Sequence, residues 1–140
     1  MVTSVRRWFL CTLVVGLLPS IGRFIIWFFS MEPTIAAYSV TDLVSFGFIL
    51  HISVLNEVHR GTASDESWKF THFWLSVVSI VLYSFVYIST IQIENGTALD
   101  ISKVEFVTFV LVFASAFHGY SVLTKLDVEA DEQQITEGKA

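Results

Sequence analysis

The sequence predicts an all-α membrane protein, a four-helix transmembrane bundle with short loops and both termini on the cytoplasmic side. Three observations predict it. Of the 140 residues, 54% are hydrophobic, and the mean hydropathy is +0.66. The charged residues fall in gaps between apolar runs, as a bilayer-crossing chain requires. Four of those runs reach the ~20 residues with which one helix crosses the hydrocarbon. They are continuously apolar, whereas barrel strands would be about ten residues long and alternate apolar with polar. Helices remain, because backbone groups in lipid must satisfy one another.

The expected spans are residues 8–29, 35–55, 70–91 and 104–124. Together they make one membrane domain, residues 1–125, with no room for a second, soluble domain, and an acidic cytoplasmic tail, residues 126–140. The first run carries Pro19 between Gly16 and Gly22, a pattern expected to kink or locally break it. A short turn, Met31-Glu32-Pro33-Thr34, leads into the second. Ser64, Asp65 and Glu66 read as the N-cap region of the third. The fourth is expected to run a turn or two into the tail and then fray. An alternative for the opening segment is a signal peptide cleaved after Gly22, since Arg6 and Arg7 precede a short apolar core. The apolar run continues through Phe24 to Phe29, which favours a full span.

Lysine and arginine in the short loops set the orientation. Arg6, Arg7, Arg60, Lys69, Lys125 and Lys139 fall on one side and Lys103 on the other, so the first group is expected in the cytoplasm. The opposite loops hold Glu32, Glu94, Asp100 and Glu105. On that side Asn95-Gly96-Thr97 matches a glycosylation acceptor by chance rather than by design, sitting so close to the membrane. The net charge of −5 comes mostly from the tail, and no basic patch exists, which argues against nucleic acid as a partner. A single cysteine, Cys11, forms no disulfide within the chain.

Charged residues inside spans carry the strongest functional signal, because their burial is costly. Arg23 and Asp42 stand about equally far from the turn at Glu32 and Pro33. They are therefore expected to pair across the first hairpin as an intramembrane ion pair, either a register clasp or a gate. Polar and small residues recur at helical spacing on every run. Tyr38, Asp42, Ser45, Ser53 and Asn56 mark the second run. His72, Ser76, Ser79, Tyr83 and Thr90 mark the third. The stripe of Tyr38, Ser45, Ser79 and Tyr83 could line a polar path. Gly16-x-x-x-Ser20 and Ser115-x-x-x-Gly119 suit close helix packing.

All four histidines, His51, His59, His72 and His118, fall toward the cytoplasmic half by this topology. His51 and His118, at similar depth, are candidates for a pH-responsive role and, as a remoter reading, for bis-histidine haem. His51 lies nine residues from Asp42, a turn of about 900°, so the two face opposite sides of their helix. Glu57, His59, Asp65, Glu66 and His72 flank the second loop without metal-ligand spacing. No nucleophile motif, phosphate-binding glycine loop or catalytic carboxylate pair is present in the sequence. Neither a metal nor a cofactor is expected.

The expectation is a small, non-enzymatic inner-membrane subunit that senses, gates or docks a partner. It would be embedded in the lipid bilayer, self-associate into a homo-oligomer, and meet a cytoplasmic protein through the 56–69 loop or the acidic tail. By size and architecture alone, the membrane component of a bacterial antiviral defence system and an immunity protein against a pore-forming toxin both suit. A small oligomeric channel or transporter, with a polar path gated by Arg23 and Asp42, is the alternative. A haem-binding intramembrane redox protein stands third.

Overall fold

The computed structural model describes residues 4–31, 36–60 and 65–137, with the side chains of residues 4–11, 131, 133, 134, 136 and 137 outside that description. Four helices account for nearly all of it: α1 (Ser4–Phe29), α2 (Val40–Arg60), α3 (Glu66–Glu94) and α4 (Ile101–Glu137). Each is long and apolar enough to cross a membrane.

The helix boundaries have local causes. Ser39 starts α2: its hydroxyl accepts the Thr41 N–H at 3.3 Å and its carbonyl accepts the Leu43 N–H. The second span therefore begins at Val40, not at 35, and residues 36–39 run outside the helix. Asp65 caps α3 by accepting the Trp68 N–H at 3.1 Å. At the other end of α3 the chain reverses at Gly96, whose φ of 83° is one that side-chain-bearing residues avoid. That turn is the structural role of the Asn95-Gly96-Thr97 segment. Asp100 then opens α4, its side chain accepting the Ser102 N–H at 3.1 Å.

Two expectations give way here. α1 runs unbroken through Pro19, so of the expected kink or local break the break does not occur. Pro19 takes one donor from the Val15 carbonyl, and the remaining backbone ladder holds the helix. α4 extends well past the turn or two expected beyond Lys125 and reaches Glu137. At 1.5 Å per residue its 37 residues span about 55 Å, nearly twice a ~30 Å hydrocarbon core. The turn at Glu32 and Pro33, the side chains of Arg6, Arg7 and Cys11, and Lys139 lie outside the described residues.

Consecutive helices run antiparallel, so α2 and α4 are parallel to each other. α2 is the hub: it packs on α1, α3 and α4, while α1 and α3 do not meet among the described residues. Two apolar clusters lie along it. Phe46, Leu50, Val54, Val58 and Val122 fill the end bearing Arg60, and Val40, Val44, Tyr83 and Val86 fill the end bearing Arg23. Large apolar side chains such as Phe28, Phe85, Phe113 and Phe117 face outward, as a lipid-facing surface requires.

Candidate functional site

Two polar regions emerge, one in each seam that α2 makes. In the α1–α2 seam, Arg23 Nε donates to Asp42 Oδ2 at 2.5 Å. Eleven residues away along each helix, the Thr12 hydroxyl donates to Ser53 at 3.5 Å. Between them, a Cβ on Gly16 would stand 2.7 Å from a Phe46 ring carbon, so only glycine fits there. Equal spacing on both helices is what antiparallel packing without a register slip produces. Asp42 is the third residue of α2, so the pair sits near a helix start and not deep in the bundle. The α2 dipole adds to its stabilisation, since a carboxylate in the first turn faces unpaired N–H groups. Ser20 lies in the same seam, its hydroxyl oxygen buried without a hydrogen-bond partner.

The second region fills the α2–α3–α4 seam and is deeper. His51, on the face of α2 opposite Asp42, is fully buried, and its Nε2 lies 2.8 Å from Ser115 Oγ. Tyr83 Oη, also fully buried, lies 3.1 Å from the same oxygen. The Tyr83 ring lies directly on the α2 backbone at Gly47, where any Cβ would overlap it. Toward the Arg60 end, His118 stands beside His51 with ring centroids 5.8 Å apart. His118 Nε2 lies 2.9 Å from His72 Nδ1, and the two rings stack at 5.1 Å. His72 packs on Trp68 at 4.5 Å, and Lys125 Nζ sits 4.6 Å above the Trp68 ring. The groups form a row, His72, His118, His51, Ser115, Tyr83, running inward from the Arg60 end. Three buried polar atoms along it, His51 Nδ1, His118 Nδ1 and Ser76 Oγ, have no partner within the chain.

Beyond Tyr83 the row ends on the valine cluster of Val40, Val44 and Val86. On the far side of that plug a cavity of about 240 Å³ opens at the Arg23 end, lined by Arg23, Tyr38, Thr90, Glu94 and Glu105. Tyr38 stands just outside α2, and its phenol pKa is raised, chiefly by the nearby Glu105 carboxylate.

Not every residue singled out in the sequence joins these regions. Ser45 and Ser79 bond back to the carbonyls of Thr41 and Leu75 on their own helices. Tyr38 is exposed and packs on Phe109. Gly119 is used within the chain, facing Leu50 at 3.2 Å from its would-be Cβ. His51 and Ser115 likewise meet within the chain. His51 Nε2 is turned to Ser115 and His118 Nε2 to His72. Among the described residues no three metal-ligating side chains converge.

His72 and Gly47 were the residues whose part the sequence patterns underrated. His72 lies 25 residues before Thr97 and His118 lies 21 after, so the α3–α4 hairpin already brings them within about a turn of each other. For Gly47 no such signal exists, because only the fold brings Tyr83 over it. No known family, curated protein or solved structure matches this chain.

Proposed function

We propose that the chain is a small, non-enzymatic multi-pass membrane subunit that registers a change within the bilayer and passes it to a partner on the cytoplasmic side. Both termini lie on that side in this reading, as the lysine and arginine distribution favours. One observation carries the proposal: α4 is a single helix that holds Ser115 and His118 in the buried row and continues as an acidic arm to Glu137. A chain needed only as a bilayer anchor would have no use for a polar core costly to bury, nor for an arm rooted in it. The sequence of the arm includes Asp127, Glu129, Asp131, Glu132 and Glu137, an acidic composition suited to a basic partner.

Within this class, a bacterial antiviral membrane component and an immunity protein against a pore-forming toxin are the roles that its size suits. Cross-linking in the native membrane tests the reading. The full chain should capture a soluble partner, and a chain truncated after Lys125 should insert normally yet lose it. Equal capture by both would overturn the arm as the docking element. Reporter fusions at Gly96 and after Ala140 test the orientation and should report outside and inside, respectively.

A second reading, a channel or transporter, draws on the valine plug between the polar row and the Arg23-end cavity. Two wettable regions separated by a short apolar constriction have the form of a hydrophobic gate. Ion flux in liposomes that rises when Val44 is made serine would favour it.

A further inference from the structure

We propose that the α2–α3–α4 seam is a binding site for one water molecule, bonded to His51 Nδ1, His118 Nδ1 and Ser76 Oγ and shared by the three helices. This site goes beyond the docking reading and does not depend on it.

The three atoms lie in one seam, and none has a hydrogen-bond partner within the chain. Their residues are enclosed: His51 and Ser76 are fully buried, and His118 is 9% exposed. A buried donor or acceptor left unmet costs more than an ordinary hydrogen bond contributes. Three such atoms match what one buried water takes, since it makes about three hydrogen bonds to polar groups that are otherwise unsatisfied.

Imidazole geometry turns two of the atoms toward one gap. The two nitrogens of the ring point to nearly opposite sides. His118 Nε2 lies 2.9 Å from His72 Nδ1, on the side of the Arg60 end, so its Nδ1 is turned inward, toward His51. His51 Nε2 lies 2.8 Å from Ser115 Oγ, further inward, so its Nδ1 is turned back toward His118. The ring centroids are 5.8 Å apart, a gap that one water spans with ordinary bonds of about 2.9 Å to each nitrogen.

Ser76 completes the set. It stands one turn inward of His72 on the same face of α3, level with the gap. Its hydroxyl also differs from others on that helix. Ser79, Ser84 and Ser89 each donate to the carbonyl four residues earlier, whereas Ser76 makes no such bond.

The ligand has to be small and neutral. Among the described residues no carboxylate is bonded to the row, and at its mouth Glu129 is paired with Lys125 at 3.7 Å. A metal cation would therefore stand uncompensated deep in the bilayer. Water donates to a bare nitrogen, accepts from a protonated one and does either with a hydroxyl, so it serves whichever tautomer each histidine adopts.

The test is a crystal structure of the full-length protein grown from a lipidic phase, at a resolution that shows ordered water. One peak should stand about 2.7–3.2 Å from all three atoms. It should give no anomalous signal at the absorption edges of zinc, copper or iron. Ser76→Val should lose the peak, and Ser76→Thr, of the same shape but with the hydroxyl kept, should retain it. Ser76→Ala adds no bulk; it should weaken the peak, and it covers the case in which neither larger side chain is tolerated. The His72–His118 contact should persist in every variant, which shows that the seam itself is intact. A seam without the peak, a Ser76 hydroxyl turned onto the His72 carbonyl, an anomalous peak, or a peak of full height in the valine or alanine variant would overturn the proposal. None of these results bears on partner capture by the α4 arm, so the two ideas fail separately.

Discussion

The α1–α2 seam and the α2–α3–α4 seam handle polar side chains in opposite ways. In the first, full charges face each other near a helix start, with the Arg23 side chain still 32% exposed. In the second, neutral groups sit in the middle of the bundle, and His51, Ser76 and Tyr83 are fully buried. The membrane explains the division. A charge at the bilayer centre costs ~3 kcal/mol or more even on the mildest scales, and less toward the interface. Neutral hydroxyls and imidazoles can go deep at far lower cost than a charge. α1 and α2 differ to match: 11% of the α1 span is buried in the bundle against 44% of the α2 span. α1 is thus held by a few contacts in register, and α2 by contacts all round.

That contrast can be broken first at Gly47. Gly47→Val drives a branched side chain into the Tyr83 ring and should cost ~3 kcal/mol, the upper end of ordinary overpacking. Thermal unfolding in detergent should show a fall several-fold larger than for Gly22→Val, where a Cβ meets nothing within 4 Å. Equal effects would mean that Tyr83 does not lie on α2.

Tyr83→Phe sharpens the comparison. It removes a single oxygen and leaves Ser115 with one partner fewer, at a cost of about 1–2 kcal/mol. The same unfolding measurement reads it, and a neutral outcome would show the hydroxyl to be dispensable for folding.

The Arg23–Asp42 pair should matter less than a midplane charge would. Arg23→Leu and Asp42→Leu are each expected to cost about 1–2 kcal/mol, below the ~3 kcal/mol of the bilayer centre. The double variant should recover part of that loss. If the losses simply add, the two side chains do not interact.

The smallest effect concerns Tyr38. Since the Glu105 carboxylate disfavours the phenolate, Glu105→Gln should lower the phenol pKa toward the ordinary ~10. Carbon NMR of the ring during an alkaline titration follows it. An unmoved midpoint would place the cause elsewhere.

Four apolar runs of spanning length were legible because lipid leaves the chain no other pattern. Arg23 and Asp42 could be matched by counting residues from a turn. The start of α2 at Val40 was less visible, because Ile35 to Tyr38 read as apolar while Ser39 caps the helix. α4 past Lys125 looked like a tail because polarity marks the edge of a membrane, not the end of a helix. The His72–His118 contact and the seat of Tyr83 on Gly47 depend on how three helices come together, which periodicity along any one of them does not encode.

The unbroken course of α4 has a mechanical consequence. From His118 to Glu137 the helix is a rod of about 28 Å. Because the rod is continuous, a tilt of about 10° at the histidine would carry the far tip through about 5 Å and the opposite end, Ile101, through nearly as much. The outer end of α4 is thereby tied to the packing of its inner half, with His118 close to the balance point.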